Sequence, residues 1–87
     1  MNGIARDKKD SPDRLRGVVA DVLGAPLAEI TDSTSPGSLP SWDSVNHLNI
    51  VMAVENEFGV AIPPDAALEM RTVGAFREFL QLQGIPL

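Results

Sequence analysis

Asp43, Ser44 and His47 fall within a run of five residues, 43–47, and Ser44 and His47 stand at the i, i+3 spacing of helix neighbours. Together they are the side-chain types of an orienting acid, a nucleophile and a general base. Their order defeats that use. The acid of such a set must hold the far side of the imidazole, whereas Asp43 directly precedes Ser44 and is spent as a helix cap. His47 is also the only histidine, and the chain has no cysteine, so a thiolate zinc site, a thiol nucleophile and a disulfide framework are excluded and any metal site would have a single nitrogen ligand. Glu55 and Glu57 lie two apart, on different sides of a helix, and no glycine-rich phosphate loop is present. We therefore expect no catalytic residues and no metal ligands.

Ser44 makes better sense as a point of attachment. A serine in the first turn of a helix is exposed and stands beside backbone N–H groups that have no intrahelical acceptor. A phosphodiester built on its oxygen would meet the positive end of the helix dipole.

The elements that must position this serine can be read from helical periodicity. Ser11, Pro12 and Asp13 supply a cap, a first helical residue and a first-turn acid. Leu15, Val18, Val19, Val22 and Leu23 follow as one apolar stripe up to Gly24, predicting a helix over 11–23. Residues 24–42 read as a long connection, pinned to the core by Leu27, Ile30 and Leu39. Asp43 caps a second helix that runs to Phe58 and stops at Gly59. Its core stripe is Val51, Val54 and Phe58 with Ile50 beside them, and a second apolar face carries Val45, Leu48 and Met52. Pro63 and Pro64 open a short third helix ending near Met70. Thr72 caps a fourth, with Val73, Phe76, Phe79 and Leu80 facing inward. The expected fold is all-α: a four-helix bundle with a short third helix and a long loop between helices 1 and 2. Residues 1–10 read as a flexible leader, 11–83 as the folded body and 84–87 as a tail.

Composition limits the partners. Eighty-seven residues, 44% of them hydrophobic, suit one globular domain with a small core. No apolar run is long enough for a membrane span. Charge is uneven: residues 1–16 hold five bases and three acids, whereas residues 17–87 hold two arginines against nine acids, a net of −7. A body of that sign repels nucleic-acid backbones, although the basic N-terminal segment could serve as an arm.

The run from Trp42 to Val60, with Asp43-Ser44-Val45 followed fourteen residues after the serine by the Phe58-Gly59 corner, resembles the signature of acyl carrier proteins. The likeness extends over about residues 11–82, through Val22-Leu23-Gly24, Ile62-Pro63 and Thr72-Val73. It implies that Ser44 carries 4′-phosphopantetheine as a phosphodiester, with Asp43 as helix cap and recognition residue for the transferase. A phosphopantetheinyl transferase would add the arm from coenzyme A with magnesium, and the arm's thiol would hold acyl groups as thioesters.

The resemblance further implies a non-catalytic, monomeric, cytoplasmic carrier served by acyl-loading, acyl-modifying and acyl-transferring enzymes. Its partner surface would be Val45, Leu48, Met52 and Glu55. Asn46 and Asn49 stand where many fatty-acid carriers have acids, and Pro40-Ser41 replaces the usual leucine-glycine before the motif. The asparagines point away from housekeeping fatty-acid synthesis, and the Trp42-Asp43-Ser44 form suggests a discrete carrier in a specialised biosynthetic pathway. The rival reading is an interaction module of the same fold that is never modified. The core has no tyrosine and only Trp42, Phe58, Phe76 and Phe79 as aromatics. An acyl chain slipping between helices 2 and 4 is therefore a further expectation.

Overall fold

The computed structural model describes residues 14–86 of the 87. The expected leader over 1–10 and the Ser11 cap lie outside the described residues. Helix α1 covers 14–23, α2 Ser44–Phe58, α3 Pro64–Glu69 and α4 Val73–Leu82. No strand occurs among the described residues, and none of their helices is long and apolar enough to cross a membrane. The radius of gyration, 12.7 Å, is near the ~12 Å that a chain of this length predicts.

Each helix enters the core by the stripe its sequence announces. Leu15, Val19 and Leu23 of α1, Ile50, Val51 and Val54 of α2, and Val73, Phe76 and Leu80 of α4 are buried in one cluster with Ile30, Trp42 and Ile62. Val18, Val22, Phe58 and Phe79 pack on its margin. Gly59, at φ 66°, takes the left-handed turn that ends α2, where any side chain would be strained. Beyond it the Ile62 N–H donates to Glu55 Oε2 at 2.8 Å, tying the link back to α2. After α4 the chain turns at Gly84, and the Ile85 N–H reaches Leu80 O at 3.0 Å, so the side chain of Ile85 rests on the core.

The connection between α1 and α2 is more ordered than its composition predicts. It contains a 3₁₀ turn, Leu27–Glu29. Leu27 is not a pin: its side chain is 44% exposed, because the 3₁₀ turn carries it outward. Ile30, fully buried, and Thr34, buried with its hydroxyl between Thr31 N–H and Glu29 O, hold this part of the loop. Leu39 packs on the core margin as expected.

Two bases of the basic N-terminal segment, Arg14 and Arg16, belong to the fold rather than to an arm. Arg14 pairs with Glu57 at 2.8 Å, donates to the Glu57 carbonyl and lies 4.8 Å over the Phe58 ring. Arg16 donates to the Ile30 and Leu27 carbonyls, so α1 braces the loop. Arg14 satisfies the Glu57 carbonyl at the open end of α2, and Arg16 the Ile30 carbonyl, while it shares the Leu27 carbonyl with the Ile30 N–H.

Candidate functional site

Ser44 opens α2. Asp43, in extended conformation, turns its carboxylate back so that Oδ1 accepts from the Asn46 N–H at 2.9 Å, while its carbonyl accepts from the His47 N–H. The N–H groups of Ser44 and Val45 come too early in the helix to find an intrahelical acceptor. Neither they nor the Ser44 hydroxyl has a hydrogen-bond partner among the described residues. The serine is exposed, with two backbone donors beside it.

What holds this open helix start in place is buried below it. Trp42 is only 2% exposed and anchors the end of the loop in the core. Its indole N–H donates to His47 Nδ1 at 3.0 Å, and the two rings stack with centroids 6.0 Å apart. An indole can only donate, so Nδ1 must be the acceptor and the ring proton sits on Nε2. That Nε2–H donates to the Ala67 carbonyl of α3 at 2.7 Å. His47 thus links the turn before Ser44 to α3, and the ring has no lone pair left for the serine. The Ser-His-Asp set is not a triad in this fold. Asn46 adds a second brace, donating from Nδ2 to the Ser41 carbonyl at 2.8 Å, and Asn49 in turn donates to Asn46 Oδ1.

Neither role was legible beforehand. The Trp42–His47 spacing of five residues belongs to no regular element, and the histidine's second partner lies twenty residues on. Asn46 at i+3 from Asp43 did carry a signal, since an asparagine side chain near a helix start commonly bonds to the preceding backbone.

Of the expected partner-facing residues, Val45, Leu48 and Met52 are 67%, 59% and 54% exposed on one face of α2. Leu68 of α3, 69% exposed, extends that apolar surface and was not foreseen. Glu55 is half-buried, with one carboxylate oxygen on the Ile62 N–H. Between α2 and α3 a groove of about 450 Å³ opens beside the serine, lined by Ser44, Trp42, His47, Leu48, Leu68 and Arg71 among others. The α2–α4 contact, in contrast, is filled by fully buried Ile50, Val54, Phe76 and Leu80, so the open volume lies on the α3 side.

The sequence matches the model of a family described as the phosphopantetheine attachment site, over residues 13–80. The chain belongs to that family. Domains of this family carry 4′-phosphopantetheine covalently, and the residues here suit such a group. The serine hydroxyl is exposed and unpartnered, and two backbone N–H groups can receive phosphodiester oxygens. Asp43 is occupied as a cap, and the open groove lies beside the serine. This chain is a phosphopantetheine-carrier domain, and its described residues form four α-helices and no strand, an all-α fold like that of acyl carrier proteins.

Proposed function

We propose that this protein carries acyl intermediates as thioesters on a 4′-phosphopantetheine arm attached to Ser44, and that it does so in a specialised biosynthetic pathway of the cytoplasm. The observation that carries this reading is the exposed, unpartnered Ser44 hydroxyl at the capped start of α2, within a chain that matches the family across 13–80. In the attachment step Ser44 Oγ attacks phosphorus of the coenzyme A diphosphate. The new O–P bond replaces the P–O bond to the adenosine bisphosphate, which leaves with the bond's electron pair. The hydroxyl proton goes to a base of the transferase, since both nitrogens of His47 are engaged. Once attached, the arm supplies a thiol on a flexible tether, which lets a chain without cysteine take part in thioester chemistry.

Intact mass after incubation with coenzyme A, magnesium and a promiscuous transferase tests this directly. Wild type gains one phosphopantetheine; Ser44→Ala gains none and keeps its helical circular dichroism. A gain on the alanine variant would place the site elsewhere, and no gain on wild type would favour the unmodified interaction module.

Loading, modifying and transferring enzymes dock, in this reading, on Val45, Leu48 and Met52, with Glu55 at the edge. Exposed ion pairs contribute only ~0.2–1 kcal/mol, whereas a buried Leu or Met side chain contributes about 1.5–3 kcal/mol. Val45→Asp or Met52→Asp should therefore weaken binding to a cognate enzyme by about tenfold or more, a loss of at least ~1.4 kcal/mol. Glu57→Gln should do less, and salt should alter the dissociation constant only modestly. Titration by calorimetry ranks the variants; glutamate dominance with steep salt dependence would assign recognition to charge.

A further inference from the structure

The described body holds four arginines against nine carboxylates. Arg14 pairs with Glu57 and Arg77 with Asp32, while Arg16 is spent on backbone carbonyls. Arg71 has no hydrogen bond or ion pair among the described residues, although acids outnumber bases over the body as a whole. It is one of the residues lining the groove beside Ser44. Its backbone is held on both sides, since Met70 ends α3 and is buried, and Thr72 caps α4 through Ala75 N–H. Met70 is buried in the core while the Arg71 side chain is exposed and stands at the groove wall.

We infer that Arg71 binds the phosphodiester of the arm on Ser44, folding the arm's root into the α2–α3 groove. This rests on the reading of Ser44 as the attachment point. A phosphodiester has two unesterified oxygens and one negative charge, which the planar guanidinium fork matches with two parallel N–H donors. The side chains of Leu48 and Leu68 flank the same groove and leave Arg71 as its cation. Asp43 adds the need for it. Its carboxylate lies next to the attachment serine and repels the phosphodiester, and Arg71 is the cation of the same groove that offsets this.

The test compares apo and holo forms of wild type, Arg71→Gln and Arg71→Lys by ¹⁵N and ³¹P NMR, with intact mass certifying each holo sample. In wild type, attachment should shift the Arg71 side-chain N–H, the Leu68 and Thr72 amides and the Trp42 indole N–H. Arg71→Gln should lose these shifts, leaving changes only at the neighbours of Ser44, and should move the ³¹P resonance; Arg71→Lys should keep part of them. Shifts confined to the Ser44 neighbours in wild type, or unchanged in Arg71→Gln, would overturn the assignment. The same wild-type protein is then loaded with acetyl or succinyl thioester. An Arg71 response seen with the succinyl form alone would also overturn it, because the ligand would be a cargo carboxylate. Absence of any mass gain would instead sink the Ser44 reading itself, an outcome distinct from either.

Discussion

Helices α2 and α4 start alike in sequence, each with a short oxygen-bearing cap, yet one start is open and the other closed. At α4 all four leading N–H groups are satisfied. Val73 donates to Thr34 O, Gly74 to Asp32 O at 2.8 Å, Ala75 to Thr72 Oγ1 and Phe76 to Thr72 O. At α2 only Asn46 and His47 find acceptors, both on Asp43, and the N–H groups of Ser44 and Val45 face outward. The difference comes from the α1–α2 loop. Its segment 31–34 lies against α4, helped by the Arg77–Asp32 pair at 3.0 Å, and supplies two carbonyls to that helix. The α2 start receives support from beneath instead, through Trp42 and His47, so its outer side stays free. The α4 start is closed by loop carbonyls, whereas the α2 start, which holds the proposed attachment serine, keeps two donors unspent among the described residues.

Removing the support under α2 should have the largest effect on stability. His47→Ala leaves the buried Trp42 indole N–H and the Ala67 carbonyl without partners, at a cost of about 2–3 kcal/mol. Urea denaturation measures the loss. The variant should still accept phosphopantetheine, because the imidazole takes no part in the transfer; failure of a folded His47→Ala protein to be modified would break that separation.

At α4 the close approach of the loop is the vulnerable feature. A Cβ on Gly74 would stand 3.1 Å from the Asp32 carbonyl oxygen, which is backbone and pinned. Gly74→Val should cost about 2 kcal/mol by overpacking, without changing the modification rate. An unchanged midpoint would mean that the 31–34 segment yields freely and does not close the helix start.

The smallest effects come from the caps, and they sharpen the contrast most. Thr72→Ala should lose about 1 kcal/mol and nothing in modification. Asp43→Asn keeps an accepting oxygen for Asn46 N–H and should change stability by less than about 0.5 kcal/mol. If the carboxylate itself guides the transferase, modification kinetics should slow all the same. Equal rates for Asp43→Asn and wild type would reduce Asp43 to a cap.

Much of this was legible because it is local. The α2 boundaries follow from an aspartate cap and a glycine that can turn left-handed, and both effects act within one turn of helix. The core stripes of α1, α2 and α4 follow from periodicity, since a helix buries whichever face is apolar. Ser44 stood out for the same reason: its neighbours in the chain are its neighbours in space.

The α1–α2 connection was the opposite case. Leu27 has the composition of an anchor, but the turn direction that exposes it depends on Arg16 reaching from α1. Asp32 and Thr34 look like loop residues, and nothing nearby in the chain indicates that their carbonyls serve a helix some forty residues on.

By itself, then, the sequence determined the helices, the apolar faces they bury and the place of Ser44 at a capped helix start. Each of these depends on residues within a few positions of one another, so chain order and helical geometry suffice. Only the tertiary structure decided that His47 is a bridge between Trp42 and α3, and that Arg71 shares a groove with Ser44. It also decided that α4 is closed by a distant loop while α2 stays open. Those outcomes depend on how the packed helices place remote side chains and carbonyls within hydrogen-bond distance, and helical period holds no information about which remote groups will meet.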